Sequence, residues 1–267
     1  MRSFAFHRPS TLYETSALLS GVADSMPLAG GMTLLPTIKQ RLAAPAALID
    51  LSKIPQMSGI SVADDILTIG AMARHVEVAE SELVRSKVPL LASLAAGIGD
   101  PAVRNRGTIG GSVANNDPSA DYPAAVLGLD AVIVTDRREI SAEAFFRGLF
   151  ETALDPGEIV TALRFPVPFA GGYAKFKSPA SRYALVGVCV AKRADKVRVA
   201  VTGAGAGVFR VGAMEAALEK SFTPEAIAAI KIGSENLSSD IHADAEYRAH
   251  LVTVMAKKAV KAALQSS

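Results

Sequence analysis

A chain of 267 residues, half of them apolar and none of them tryptophan, has room for two modest domains or one large one, with a core of Ala, Val, Ile and Leu. Its 28 basic and 26 acidic side chains leave a net charge of +2 and no basic run interleaved with aromatics, which argues against non-specific nucleic-acid binding. The single cysteine, Cys189, excludes an internal disulfide, a Cys-x-x-Cys pair and an iron–sulfur cluster, and four scattered histidines show no metal-binding spacing.

In chain order, helix and strand signals alternate. Residues Met1 to His7 turn polar at once, unlike a signal peptide, and no apolar run reaches the roughly 18 residues of a membrane span. With so few cysteines, the expected location is cytoplasmic. Thr11 and Glu14 form a capping-box pattern, and Gly21 can end the helix that follows. Met26 to Ala29 reads as a short buried strand entering Gly30-Gly31, followed by a helical pattern from Leu34 to Leu42. Ala47 to Leu51 is strand-like. Gly59 to Val62 and Ile66 to Gly70 flank Asp64-Asp65 in the pattern of a hairpin. Helices are expected at Glu77 to Ser86 and Leu90 to Ile98. The stretch from Gly99 to Pro123 is rich in Gly, Asn, Asp, Pro and Ser and reads as a long irregular segment. It carries too many apolar residues for a disordered linker, so a functional loop is expected.

Strands are expected from Leu127 to Val134 and from Glu158 to Phe165, the second closed by Pro166-Val167-Pro168, the best domain boundary. Beyond it, Tyr173 to Phe176, Leu185 to Ala191 and Val197 to Val201 suggest an antiparallel sheet. Helices are expected at Met214 to Glu219 and Pro224 to Ile230. A last helix, Asp244 to Leu264, places Tyr247, Leu251, Val254, Met255 and Ala259 on one face. Lys257, Lys258 and Lys261 on it read as a solvated face. Cys189 lies in an apolar run and is expected to be buried and inert.

Three Gly-Gly doublets occur, at 30, 110 and 171. The strand-like Val199 to Val201 running into Gly203 and Gly205 imitates a dinucleotide loop, but the third glycine of that fingerprint is replaced by Val208, so a structural turn is expected. Gly30-Gly31 has better context: an apolar lead-in, Thr33, then a helix start. Glycines let backbone N–H groups approach a phosphate without interference from Cβ. Thr108-Ile109-Gly110-Gly111-Ser112 repeats the pattern. Two such loops could grip a pyrophosphate from both sides, with charge-assisted hydrogen bonds contributing about 1.5–3 kcal/mol each. Asp121 is a candidate for accepting bonds from sugar hydroxyls, or for capping the next helix. No nucleophile–base set and no phosphate-binding lysine loop is present. The chemistry is then expected to reside in a cofactor.

Ala29-Gly30-Gly31-Met32-Thr33 and Thr108-Ile109-Gly110-Gly111-Ser112 together resemble the paired FAD loops of the molybdenum hydroxylase flavoproteins, the medium subunits of carbon monoxide dehydrogenase and its relatives, similar also to the central domain of xanthine dehydrogenase. The resemblance extends over the whole chain, and Ser239 to Arg248 also look like the family's entry to its terminal helix. It implies an α+β fold: a two-subdomain PCMH-type FAD-binding domain, related to vanillyl-alcohol oxidase, over residues 1–167. Its subdomains would span about 1–55 and 56–167, and a C-terminal α+β domain of antiparallel sheet and helices over 168–267 would cover the flavin. By position, Leu28, Ala29, Gly30, Gly31, Met32, Thr33 and Leu34 would wrap the pyrophosphate, with Thr108, Ile109, Gly110, Gly111 and Ser112 opposite. Asp121 would meet ribityl or ribose hydroxyls, Val160 would pack near the isoalloxazine, and Lys177 and Tyr183 would stand beside the ring, Tyr183 as its shield. Met32 occupies a position that is often polar in relatives.

The resemblance further implies partners: a molybdopterin-binding large subunit and an iron–sulfur small subunit, as a dimer of heterotrimers, a heterohexamer. This chain would bind FAD and no metal, take electrons from the iron–sulfur subunit and pass them to an external acceptor, with no catalytic residue of its own for the primary substrate. Two other readings stand beside it: a self-contained FAD-dependent oxidoreductase of the same fold, and a non-enzymatic nucleotide-binding module.

Overall fold

The computed structural model describes residues 2–265; Met1, Ser266 and Ser267 lie outside it. The chain begins with a parallel three-stranded sheet in which Ala47–Asp50 lies between Ala5–His7 and Ser25–Leu28. Helices Leu12–Gly21 and Leu34–Lys39 connect these strands. Thr11 caps the first helix, accepting from the Glu14 N–H at 3.1 Å, while the Glu14 carboxylate accepts from the Ser10 N–H at 2.9 Å. The reciprocal bond thus falls one residue earlier than in a standard capping box. Only the central strand is buried throughout. Ser25–Leu28 is an edge strand with Met26 and Pro27 exposed, so the expected buried strand is half-solvated instead.

The second sheet has five strands in the order Ile60–Ala63, Ile66–Gly70, Val160–Pro166, Val132–Thr135, Glu139–Ser141, all antiparallel. Asp64 and Asp65 take positive φ values of 49° and 56° and close the expected hairpin in two residues. The helix expected over Glu77 to Ser86 is split into His75–Glu80 and Glu82–Lys87. Ser81 ends the first, its N–H bonding back to Glu77, and caps the second through its hydroxyl. The strand expected from Leu127 begins only at Val132, because helix Tyr122–Gly128 runs up to the turn at Asp130.

The segment from Gly99 to Pro123 is not irregular. It folds into helices Pro101–Arg106 and Ile109–Asn115 and leads into Tyr122–Gly128. Its polar residues act as caps: the Asp100 carboxylate accepts from the Val103 N–H at 2.9 Å, and the Thr108 hydroxyl accepts from the Gly111 N–H at 3.1 Å. Capping and burial of Ile109 and Val113 outweigh the poor helix propensity of Gly110 and Gly111.

A four-stranded antiparallel sheet follows: Ala170–Lys177, Ala184–Lys192, Val197–Thr202 and Phe209–Arg210. One face packs under helix Ala245–Gln265, through Val188, Val190, Leu251, Met255 and Ala259. The other face joins the core of the five-stranded sheet through Cys189, Ala191 and Ala200. Tyr247 at the start of the last helix is exposed rather than on its buried face, and the expected Pro224 to Ile230 helix is a single 3-10 turn, Pro224–Ile227. Gly203 is the structural turn expected: its φ is +81°, and its carbonyl accepts from the buried Arg248 guanidinium at 2.8 Å.

Candidate cofactor site

A cleft of about 560 Å³ is lined by the two glycine segments and by Ser181, Arg182 and Tyr183, in the loop between the first two strands of the C-terminal sheet. Leu28, Ala29, Gly30, Gly31, Met32, Thr33 and Leu34 form one wall; Thr108, Gly110, Gly111 and Ser112 form the opposite one. Asp121, Val160 and Tyr183 line the remainder. Two of the expected residues are not in the wall. Ile109 is wholly buried beneath it, in the core. Lys177 lies past the irregularity between Phe176 and Lys177 at the end of its strand, where its side chain is exposed.

The two glycine segments are not equivalent. In the first, no acceptor is found among the described residues for the backbone N–H groups of Gly30, Gly31, Met32, Thr33 and Leu34. In the second, the four N–H groups from Ile109 to Ser112 are engaged: Ile109 with the Ala73 carbonyl at 3.0 Å, Gly110 with Ala71 at 2.9 Å, Gly111 with the Thr108 hydroxyl, and Ser112 with the Thr108 carbonyl at 3.0 Å. A symmetric backbone cradle is therefore corrected to an asymmetric one. The first loop presents a run of free backbone donors, whereas the second offers the Thr108 N–H and the Thr108 and Ser112 hydroxyls. Its glycines serve packing. A Cβ at Gly110 would strike Ala71, its carbonyl oxygen lying 2.7 Å away.

Asp121 does not cap its helix; no side-chain capping bond is formed. Its carboxylate, only 4% exposed, accepts from the Tyr173 hydroxyl at 2.5 Å and from the Lys175 ammonium at 2.9 Å. Burial pushes its pKa above the ordinary value, and Lys175 pulls against that shift. Burial, and then Asp117 and Asp121, raise the pKa of Tyr183 at the rim. His75, Met72, Ile98 and Val103 also line the cleft. His75 carried no sequence signal. Burial first, and the nearby Arg104 charge second, depress its pKa to about 4, so it is neutral at physiological pH. Its ring tilts against Tyr122, with centroids 5.4 Å apart.

The arrangement suits an elongated anionic cofactor. Free N–H donors, the Thr108 and Ser112 hydroxyls, an apolar residue, Val160, and an aromatic ring, Tyr183, all line this one cleft. Among the described residues, no group of three His, Cys, Asp or Glu side chains could hold a metal. Cys189 is free and buried, its thiol pKa pushed up to about 12 by desolvation, and so inert.

Comparison with known proteins agrees. The family described as the FAD binding domain in molybdopterin dehydrogenase matches residues 2–168, and the CO dehydrogenase flavoprotein C-terminal domain matches residues 172–263. The carbon monoxide dehydrogenase medium chain of Hydrogenophaga pseudoflava is 36% identical over 97% of this chain and 96% of its own. The nicotine 6-hydroxylase medium subunit of Paenarthrobacter nicotinovorans is 35% identical over 94% of each. Among solved structures, the carbon monoxide dehydrogenase of Hydrogenophaga pseudoflava superposes with a TM-score of 0.89 at 35% identity, covering 99% of this chain and 98% of that one. The quinoline 2-oxidoreductase of Pseudomonas putida 86 gives the same TM-score at 27% identity, with the same coverage. The fold is thus the PCMH-type FAD-binding domain followed by the family's C-terminal domain, and this chain belongs to the FAD-binding medium subunits of the molybdenum-dependent dehydrogenases.

Proposed function

We propose that this chain is the electron-transfer subunit of a heteromeric molybdenum hydroxylase. It would receive electrons from an iron–sulfur small subunit and deliver them to an external acceptor. A molybdopterin-binding large subunit would oxidise the primary substrate, and two such three-subunit units would form a dimer of heterotrimers. The observation that carries the reading is the cleft itself, a cofactor-sized site lined by free backbone N–H donors that suit a phosphate. FAD, when bound, supplies the exchange between single-electron and paired-electron transfer.

Within that reading, the free N–H groups from Gly30 to Leu34 hold the pyrophosphate, with the Thr108 and Ser112 hydroxyls opposite. Asp121 would accept from sugar hydroxyls, Val160 would pack near the isoalloxazine, and Tyr183 would shield the ring. Lys177 acts at longer range, through its charge. The substrate is set elsewhere. Similar medium subunits occur in enzymes named for carbon monoxide, nicotine and glyceraldehyde, so this chain's fold is compatible with unrelated substrates. Among the described residues no helix is long and apolar enough to cross a membrane. The low cysteine usage supports a cytoplasmic site.

The test is copurification of the tagged chain with its partners, followed by anaerobic flavin bleaching. Loaded with FAD, the chain alone should not bleach on addition of the parent complex's substrate, and the reconstituted complex should. Bleaching of the lone chain by a carbon substrate, without nicotinamide, would instead identify a self-contained oxidoreductase.

A further inference from the structure

We propose that Lys175, assisted by Tyr173, is a positioning residue for the cofactor: from behind the wall of the cleft it keeps Asp121 an ionised hydrogen-bond acceptor. The inference rests on the FAD reading above and adds to it a residue that does not line the cleft.

Asp121 belongs to the turn that starts helix Tyr122–Gly128, whereas Tyr173 and Lys175 are alternate residues of strand Ala170–Lys177 and therefore point to one face. The Lys175 ammonium lies 2.8 and 2.9 Å from the two Asp121 oxygens, and the Tyr173 hydroxyl lies 2.5 Å from one of them. The Lys175 side chain is itself only 5% exposed. A carboxylate accepts about four hydrogen bonds, so these donors leave capacity for a group in the cleft. The other charges and titratable groups around Asp121 are Lys177 on the same strand, Asp117 on the same turn, and Tyr122 and Tyr183. Of these only Lys177 favours the carboxylate, and it is exposed and screened. Lys175 is therefore the main counterweight to desolvation.

Removing it leaves only the Tyr173 hydrogen bond and the distant Lys177 charge to oppose burial. The Asp121 pKa then rises, and below that pKa the group is a neutral acid with one fewer site to accept a sugar hydroxyl. Affinity for FAD should fall as pH falls, whereas an even loss at every pH would mean only damaged packing.

The experiment measures FAD affinity of the full-length apoprotein by flavin fluorescence between pH 6 and 9. Wild type and Lys175→Arg should give flat profiles. Lys175→Met should reach a plateau at high pH and weaken by up to about tenfold per unit below the shifted pKa. Tyr173→Phe keeps the ring and should show the same slope beginning at lower pH, so it serves if Lys175→Met does not fold. A Lys175→Met profile parallel to wild type, or a flat Tyr173→Phe profile where Lys175→Met is unfolded, overturns the proposal. Failure of wild type to bind FAD at any pH would overturn the FAD reading itself, and this inference with it.

Discussion

Gly30 lies directly against Arg106: a Cβ on Gly30 would stand 2.7 Å from the Arg106 carbonyl carbon and 2.8 Å from the Gly107 Cα. The first glycine segment thus meets, backbone to backbone, the residues that lead into the second, and both segments line one cleft. What Gly30 provides is this close approach, whereas Gly31 provides a left-handed φ of +75° at the turn into helix Leu34–Lys39.

The first prediction separates these roles. Gly30→Ala should push the segments apart, lose most bound FAD and lower stability by about 1–3 kcal/mol, as overpacking does. Gly31→Ala should cost roughly 1–2 kcal/mol of backbone strain and reduce flavin content less. Gly110→Val should unfold or aggregate, because its clash is with Ala71 in the protein. Flavin absorbance per chain and urea midpoints would decide, and a stoichiometrically yellow Gly30→Ala protein would contradict the contact.

Much of this was legible in the sequence, and the failures are instructive. Strands with clean apolar runs, such as Ala47–Asp50 and Ala184–Lys192, are found where their patterns place them. Both glycine segments do line one cleft. The stretch from Gly99 to Pro123 misled because Asp100 and Thr108, which read as loop formers, are helix caps whose value appears only when Val103 and Gly111 supply the N–H. The engaged N–H groups of Ile109 and Gly110 were invisible because their acceptors, Ala73 and Ala71, belong to another element. His75 and Lys175 gave no signal for the same reason: each matters through a partner that only the tertiary fold brings near.

The second prediction concerns acid stability. The Arg138 guanidinium, together with the Asp155 N–H and the Thr135 hydroxyl, holds the buried Glu158 carboxylate below its ordinary 4.5, at about 2. A depressed folded-state pKa stabilises above pH 4.5 and is lost as pH falls towards 2. With Arg138 partly exposed, the contribution is about 2–3 kcal/mol at neutral pH. Glu158→Gln should be less stable than wild type at pH 7, and the gap should narrow between pH 4.5 and 2 in denaturant titrations. A constant gap would assign the loss to packing alone.

A third prediction addresses the joint between the last helix and its sheet. Arg248, 3% exposed, donates to the Leu185 and Gly203 carbonyls, each at 2.8 Å, and pairs with Asp240 at 2.7 Å. Arg248→Met leaves these carbonyls unpaired and should cost about 3–5 kcal/mol. Both carbonyls are reached by Nη1 and Asp240 by Nη2; Lys has a single nitrogen and cannot hold the carbonyls and Asp240 together, so Arg248→Lys should recover less than half of it. Thermal melts of the two variants provide the comparison, and equal midpoints for wild type and Arg248→Lys would refute the need for two guanidinium nitrogens.

Lys177 is expected to act at a distance. Its side chain is exposed and outside the cleft wall, yet its charge is felt at Asp121. Lys177→Met should weaken FAD binding by a few-fold at low ionic strength, and the difference should vanish near 1 M salt, where the Debye length is about 3 Å. A loss that persists in high salt would place the ammonium in direct contact with the cofactor.

Tyr183 is expected to control access more than affinity. It stands at the rim of the cleft, 44% exposed, at the end of a tight loop in which the Ser178 N–H bonds to the Tyr183 carbonyl at 2.8 Å and Arg182 takes a φ of 62°. The free donors that would hold the pyrophosphate lie elsewhere, from Gly30 to Leu34, so removing the ring should weaken FAD binding by less than about tenfold, or about 1.4 kcal/mol. If the ring is a steric cover, Tyr183→Phe should behave as wild type, and Tyr183→Ala should speed electron delivery to bulky dyes more than to small acceptors. Rates measured with dyes of graded size on the reconstituted complex would show it. Equal changes in Phe and Ala variants would make the hydroxyl, not the ring, the functional group, and unchanged rates with every dye would remove Tyr183 from the path.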